Sequence, residues 1–261
     1  MERNRVLAVI PARYSSTRFP GKPLVLLAGR PMVAHVVERA REAGCFDEVV
    51  VATDDERIAR AAAEAGARAV LTGPCRSGTD RVAEAARDQE AAVVLNVQGD
   101  EPALPPENLR LLARFLRQHP EVPMATLALP GTAQDLENVN IAKVVCDLEG
   151  NALYFSRAPI PYPRNPEAGI VLRHVGLYGF QKGALLEFAG WPETALERSE
   201  GLEQLRALAH GMRLAVLAAA ADSIAVDTPD DVPRAEAALT ALARQRTVAA
   251  AVDVTETEDP T

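Results

Sequence analysis

At 261 residues, 48% hydrophobic and 25% charged, the chain can bury the core of one large domain, which excludes disorder over most of its length. Its 36 acidic residues outnumber 28 basic ones for a formal charge of −8, the wrong sign for a general nucleic-acid binder. Cys45, Cys75 and Cys146 form no Cys-x-x-Cys or Cys/His cluster, which argues against a zinc site or a disulfide framework. The apolar run Val6–Ile10 ahead of Pro11 is too short for a signal peptide, and no uncharged eighteen-residue apolar stretch occurs. The expectation is a cytoplasmic protein with neither a membrane nor a nucleic acid as partner.

Strand-length apolar runs alternate with helical patterns. Val6–Ile10 reads as a buried strand, followed by a helix over 31–43 with Val33, Val36, Val37 and Ala40 on one face. Then come a strand at 48–52, a helix over 54–65 with Asp54 as N-cap and Gly66 as C-cap, and a strand at 68–71. A helix over 79–89 and a strand at 92–97 complete the alternation. The pattern predicts an α/β fold with a doubly wound, mostly parallel sheet, which binds ligands at the carboxyl ends of its strands.

Beyond a helix over 105–118 the pattern changes. Strands are expected at 124–129, 142–147 and 152–156, the last two forming a hairpin around Leu148-Glu-Gly-Asn151. A proline-rich loop carries Pro159, Pro161, Pro163 and Pro166, and a strand follows at 174–181. Helices are expected over 182–189 and 195–210, the second burying Leu202, Leu205 and Ala209. Strands at 214–219 and 224–226 and a helix over 231–244 close the fold. Within the helix over 195–210, Gly201 costs about 1 kcal/mol relative to alanine. Seven of the chain's eleven aromatics lie between Tyr154 and Trp191, fitting a sugar-facing wall, a subunit interface or a small satellite core.

Charge is placed unevenly. Residues 1–30 hold Arg3, Arg5, Arg13, Arg18, Lys22 and Arg30 against Glu2 alone, whereas residues 247–261 hold four acids and no cation. That last stretch is expected to be a disordered acidic tail. Only Lys22, Lys143 and Lys182 are lysines, so each is worth attention.

The loop after the first strand, Pro11-Ala-Arg-Tyr-Ser-Ser-Thr-Arg-Phe-Pro-Gly-Lys-Pro-Leu24, sets Arg13, Arg18 and Lys22 four or five residues apart among hydroxyls, prolines and a glycine. Such a loop can wrap a polyphosphate, although it lacks the Walker A spacing; otherwise it is a solvated surface loop. In Arg76-Ser-Gly-Thr-Asp-Arg81, Ser77 or Thr79 can cap the next helix and Arg81 can be surface charge. Asn96-Val-Gln-Gly-Asp-Glu-Pro102 ends an apolar strand, so Asp100 suits either a turn or a hard cation such as Mg²⁺. Ala225-Val-Asp-Thr-Pro-Asp-Asp231 offers a second strand-end carboxylate, Asp227. Two carboxylates facing one cleft repel unless a cation joins them.

These motifs, in this order from about residue 6 to 240, resemble the sugar nucleotidyltransferases, and among them the 3-deoxy-manno-octulosonate (Kdo) cytidylyltransferase family. The resemblance implies one nucleotidyltransferase domain over 1–246: a nucleotide half at 1–120, a mixed α/β insertion for sugar and dimer contacts at 121–220, and a return at 221–246. It implies that CTP and Kdo are joined to CMP-Kdo with release of pyrophosphate, activating the sugar for lipopolysaccharide biosynthesis, in a homodimer. Arg13, Ser16, Arg18 and Lys22 would contact the CTP phosphates, Ser77 and Arg81 would read the cytosine edge, and Asp100 and Asp227 would hold Mg²⁺. Lys22, Asp100 and Asp227 are then the catalytic set. Gln98, Arg157, His174, Tyr178, Glu203 and Gln204 would bind the sugar. Singly, His174 can be a core histidine, Arg157 a surface ion pair, and Glu203 and Gln204 a solvated helix face. The sequence departs from the family at Cys75, where histidine is common, and at Ser199 and Gly201, where bulkier residues are frequent. Cytidylyltransferases for sialic acid or 8-amino-Kdo, and a non-catalytic nucleotide sensor, are the alternatives.

Overall fold

The computed structural model describes residues 5–15, 19–165 and 171–256, with side chains to residue 245. Ser16 and Arg18, two of the expected phosphate contacts, lie outside the described residues. In chain order the elements are β1 (Val6–Ala12), β2 (Leu26–Leu27), β3 (Arg30–Pro31), α1 (Met32–Glu42), β4 (Glu48–Thr53), α2 (Glu56–Glu64) and β5 (Arg68–Leu71). Then follow α3 (Gly78–Ala86), β6 (Val93–Asn96), α4 (Pro106–Gln118), β7 (Met124–Pro130), α5 (Ala133–Glu137), β8 (Lys143–Cys146) and β9 (Ala152–Ser156). β10 (Leu172–Gln181), α6 (Lys182–Gly190), α7 (Ala195–Glu200), α8 (Leu205–Ala209), β11 (Leu214–Ala218) and α9 (Val232–Glu256) complete the described chain.

The main sheet runs in the order β11-β7-β10-β6-β1-β4-β5, with the β8–β9 hairpin joined to β10. β5, β4, β1 and β6 are parallel neighbours, β10 is antiparallel to both β6 and β7, and β11 runs parallel to β7. The sheet is therefore mixed but mostly parallel, and β7, β10 and β11 extend the layer begun by the first hundred residues.

β1 is apolar throughout because helices cover both of its faces. Val6, Ala8 and Ile10 pack with Val33, Val36 and Val37 of α1, Ile58 of α2 and Leu109 and Leu112 of α4. Leu7 and Val9 point the other way, onto Val82 of α3, Phe188 of α6 and Leu205 of α8. Each fully buried aliphatic side chain contributes about 1.5–3 kcal/mol, so the two faces together fix the register of the central strand. A third cluster of Leu27, Met32, Val226 and Ala235 ties the β2–β3 hairpin to the segment ahead of α9.

Four local expectations are corrected. The N-cap of α2 is Asp55, whose side chain accepts from the Arg57 N–H, and Asp54 is left for a tertiary contact. The expected 195–210 helix is broken into α7 and α8, because Gly201 adopts φ +63° and ends α7 as a left-handed cap. Ala207 is consequently buried in place of the exposed Ala209. Residues 224–226 form no strand, although Val226 is fully buried. The closing helix also runs past its expected end at 244, through Glu256, and the last five residues of the expected tail lie outside the described residues. The alanine- and valine-rich run after Arg244 has no glycine or proline to stop it.

The aromatic-rich segment is largely core: Phe155, Tyr178, Phe180 and Phe188 are buried in the cluster on the α3 face. Lys143 is also fully buried, its ammonium donating to the carbonyls of Asn138, Ile141 and Arg157 at 3.0, 2.8 and 2.5 Å. It pins the loop that precedes β8.

Candidate active site

The parallel strands β1, β4 and β6 deliver their carboxyl ends to one edge of the sheet, where a cavity of about 320 Å³ opens. Arg13, Lys22, Ser77, Arg81, Gln98, Asp100 and Asp227 all line it. The loop after β1 closes on itself: Gly21 takes φ +71° and its N–H donates to the Tyr14 carbonyl at 2.9 Å. That turn delivers Lys22 into the cavity. Its Nζ donates to Asp100 Oδ2 at 2.7 Å and lies 3.7 Å from Asp227 Oδ1.

Two features bring the carboxylates together. Gly99 lets the β6 loop lie against β1, since a Cβ there would meet the Pro11 carbonyl oxygen at 2.6 Å. The Val226 N–H then donates to the Asp100 carbonyl at 2.9 Å, which sets Asp227 beside Asp100. Asp231 Oδ2 fastens the next turn by accepting from the Asp227 and Thr228 N–H groups at 3.0 and 2.9 Å, and these bonds hold its carboxyl below its usual range. Among the described residues no three His, Cys, Asp or Glu side chains gather as a metal cage. Two hard carboxylate oxygens that share a cation fit an ion that fills its shell with water and phosphate, the habit of magnesium.

On the α3 side, Ser77 is the helix cap, accepting from the Asp80 N–H at 3.1 Å, and it also faces the cavity. The two readings of Ser77 are compatible. Arg81 is only 4% exposed, with Nη2 on Asp54 Oδ2 at 2.8 Å and Nη1 on Thr72 Oγ1. It is a buried, oriented donor and not surface charge. Cys75 lines the same wall, its thiol pushed up to about 11 by burial and the nearby Glu84 carboxylate.

A second polar cluster lies across β6 from the cavity. Tyr178 pairs in register with Asn96, and its hydroxyl donates to Gln204 Oε1 at 2.9 Å. His174 stands 5.4 Å from the Tyr178 ring and contacts Thr126 Oγ1 through Nε2 at 2.9 Å. Thr126 Oγ1 gives its own hydrogen to the Leu177 carbonyl at 2.8 Å, so His174 Nε2 carries a hydrogen and Nδ1 is left as an acceptor. Burial pushes His174 down to about 3, so the ring is neutral. Thr79 Oγ1 donates to Glu203 Oε2 at 2.5 Å and accepts from Asn96 Nδ2 at 3.0 Å. Burial raises the Glu203 carboxyl, against the pull of Ser77, Thr79 and Arg206. Asn96 Oδ1, Glu203 Oε1 and Gln204 Nε2 are buried without a hydrogen-bond partner among the described residues. Such orphaned groups mark a place where a polar ligand or ordered water completes the network.

Comparison with known proteins converges with this geometry. A cytidylyltransferase family model matches residues 7–214. The chain is 52% identical over 244 residues to the 3-deoxy-manno-octulosonate cytidylyltransferase of Anaeromyxobacter sp. strain Fw109-5, covering 92% of this chain and 99% of that one. The chain belongs to the 3-deoxy-manno-octulosonate cytidylyltransferases. Identity to the Myxococcus xanthus enzyme of the same name is 47% over 244 residues, 92% of this chain and 99% of that one. A CMP:2-keto-3-deoxy-manno-octonic acid synthetase solved with CTP superposes with a TM-score of 0.87 at 40% identity, covering 90% of this chain and 98% of that one. At 13% identity, the 4-diphosphocytidyl-2C-methyl-D-erythritol synthase of Anaerococcus prevotii shares the fold, with a TM-score of 0.62 over 90% of this chain and 98% of that one.

Like His174, Tyr178, Glu203 and Gln204, Arg157 does not line the cavity. Its Nε donates to the Glu200 carbonyl at 2.9 Å and its Nη1 faces the Val139 and Asn140 carbonyls at 3.2 and 3.4 Å. Here it ties the end of α7 to the loop after α5. Asp54, Thr79, Asn96, Thr126 and Arg206 were missed by the motif reading. Asp54 carried a usable signal, an acid just past the carboxyl end of an apolar strand, whereas the others sit inside elements where their types are unremarkable.

Proposed function

We propose that the chain joins CTP and 3-deoxy-D-manno-octulosonate to CMP-Kdo with release of pyrophosphate, using the cavity at the strand ends for the nucleotide and the Tyr178–Glu203–Gln204 cluster for the sugar acid. The observation that carries this reading is Lys22 held between Asp100 and Asp227 at the mouth of that cavity. A cation flanked by two carboxylates is built to receive a phosphate chain together with a balancing metal. Regulatory pockets that only sense a nucleotide have no need of the two acids.

Arg13, Ser16, Arg18 and Lys22 hold the triphosphate, Lys22 standing where charge builds on the α-phosphate and the leaving pyrophosphate. Ser77 and Arg81 meet the cytosine edge, with Asp54 keeping the Arg81 guanidinium oriented. Magnesium on Asp100 and Asp227 would supply phosphate neutralisation and favour the deprotonated form of the attacking hydroxyl. Gln98, two residues before Asp100, lines the cavity and would turn its amide to the sugar. Tyr178, Gln204 and Glu203 offer hydroxyl contacts, and neutral His174 offers an acceptor at Nδ1. Arg157 reaches the sugar carboxylate only by leaving its main-chain carbonyls, so it belongs to a rim that rearranges on binding.

The anomeric 2-hydroxyl of the sugar attacks the α-phosphorus in line. The new bond joins that oxygen to phosphorus, the bond to the bridging oxygen breaks, pyrophosphate leaves, and the hydroxyl proton passes to solvent. Positioning and charge neutralisation account for the rate, with no covalent enzyme intermediate. The product is a sugar activated for lipopolysaccharide assembly.

The same reading takes the protein as a cytoplasmic homodimer. Val139, Leu148 and Leu153, each at least 60% exposed, are apolar side chains of the insertion that a second copy would cover. Among the described residues no helix is long and apolar enough to cross a membrane. Pyrophosphate release measured across CTP and UTP with Kdo, 8-amino-Kdo and sialic acid tests the assignment. Release with CTP and Kdo is expected; release only with another sugar acid moves the substrate, and none with any acceptor leaves a sensor.

A further inference from the structure

Arg206 belongs to no substrate contact above, yet it is 3% exposed and faces three carboxylates. Its Nε and Nη2 donate to Glu197 Oε2 and Oε1 at 2.9 and 2.5 Å, a two-pronged pair that fixes the plane of the guanidinium. The group lies 4.7 Å from the centre of the Phe188 ring. Its Nη1 is 3.7 Å from Asp80 Oδ1, and its Nη2 is 3.8 Å from Glu203 Oε1. Glu197 is itself anchored, since it closes a capping box with Thr194 at 3.2 and 3.3 Å. The guanidinium is thus held from behind by a fixed acid, with Nη1 turned to Asp80 and Nη2, already bonded to Glu197, the nitrogen nearest Glu203.

We propose that Arg206 is a positioning residue for the sugar site: with Thr79 it brackets the Glu203 carboxylate, one oxygen bonded and the other kept open for a substrate hydroxyl. The inference rests on the reading of Glu203 as a sugar contact. Thr79 takes Oε2, while Oε1 has no hydrogen-bond partner among the described residues and faces the guanidinium beyond hydrogen-bond range. Arg206 therefore supplies charge and direction without occupying the acceptor. Lysine has the charge but not the fork that Glu197 holds in plane.

A buried ion pair is a weak source of net stability, so its retention here is better explained by geometry. The charges that face Glu203 are Asp80 on α3, itself paired to Arg76 at 2.9 Å, and Arg206 on α8; from β10 it meets the neutral Tyr178 hydroxyl side. Arg206 is the one cation among them that reaches Glu203 directly. Without it, burial and the Asp80 carboxylate raise the Glu203 carboxyl further, and the acceptor is lost to protonation at a higher pH.

Steady-state kinetics of Arg206→Lys, Glu203→Gln and the double variant test this. Arg206→Lys is expected to raise KM for the sugar acid about tenfold while KM for CTP stays within about twofold. In the Glu203→Gln background the same substitution is expected to change nothing more. An Arg206→Lys effect that persists in that background, or that raises both KM values alike with a matching fall in Tm, overturns the proposal. If Glu203→Gln alone leaves the sugar KM unchanged, the Glu203 reading itself fails, an outcome distinct from either. Arg206→Gln adds a readout that packing alone does not move. The acid limb of kcat/KM for the sugar acid is expected to shift to higher pH, and an unmoved limb in a folded variant counts against the proposal.

Discussion

The Val226 N–H donates to the Asp100 carbonyl at 2.9 Å, and this one bond joins the end of β6 to a segment more than a hundred residues away in sequence. Val226 is fully buried against Leu27 and Met32, so hydrophobic packing sets the position of the next residue, Asp227. The second carboxylate reaches the first because the core places it there. Lys22 then holds both. Replacing Asp100 or Asp227 by alanine is expected to lower turnover by about a hundredfold or more while the melting temperature changes little, because both side chains lie at a cavity mouth outside the core. Measured CMP-Kdo formation near the parent level in either variant would remove the metal assignment. Stripping divalent ions with a chelator is expected to abolish turnover of the parent protein, and added magnesium to restore it.

Gly99 answers to a different constraint. Its φ is unremarkable, but a Cβ would sit 2.6 Å from the Pro11 carbonyl oxygen, and main chain cannot swing aside as a flexible side chain can. Gly99→Ala is expected to cost about 1–3 kcal/mol of stability, as overpacking does elsewhere, and to displace Asp100 with it. Urea denaturation checks the first effect and pyrophosphate release the second. A variant with parent stability and activity would show that the β6 loop tolerates a shift that the cavity geometry does not suggest.

Gly201 gives a test whose sign depends on the break between α7 and α8. In one continuous helix, alanine would be better than glycine by about 1 kcal/mol. At φ +63° alanine is instead strained by about 1–2 kcal/mol, although nothing lies within 4 Å of its Cβ. Gly201→Ala is therefore expected to lower the melting temperature. A rise would return the segment to one helix and misplace Glu203, Gln204 and Arg206 together.

The same segment shows where sequence reasoning stops. The parallel half of the sheet was legible because strands buried on both faces are uninterrupted apolar runs, as in Val6–Ile10 and Val93–Leu95. Lys22 and Asp100 were legible because each follows a glycine in a loop that leaves such a strand, whereas Asp227 was read from its motif, the strand expected at 224–226 being absent. Glu203 and Gln204 were legible only through family likeness, since a periodic pattern cannot distinguish a continuous helix from two short ones joined at a left-handed glycine. Thr79, Asn96 and Arg206 left no local mark. Their roles arise from contacts across 17 and 124 positions of sequence, and from an ion pair whose partner stands on another helix. Arg157 marks another limit, since its motif gives no sign that the guanidinium lies on main-chain carbonyls away from the cavity.

His174 makes the folded protein sensitive to acid in a defined window. In the folded chain its ring stays neutral down to about pH 3, because burial disfavours the charged form, whereas in the unfolded chain histidine titrates near 6.5. Above about pH 6.5 the ring is neutral in both states and the pH has no leverage through it. As the pH falls below that value the unfolded chain binds a proton that the folded chain refuses. Stability is then lost progressively toward pH 3, by at most about 1.4 kcal/mol per pH unit for this one group. Other carboxylates titrate in the same range, so the comparison must be internal. Urea unfolding of the parent and of His174→Gln at pH 7.5, 6.0, 5.0 and 4.5 isolates the term. The variant, which keeps an amide able to donate to Thr126, is expected to be the less stable at neutral pH and to close the gap as the pH falls. If the two proteins lose stability in parallel, His174 is not held neutral, and the Nδ1 acceptor assigned to the sugar site goes with it.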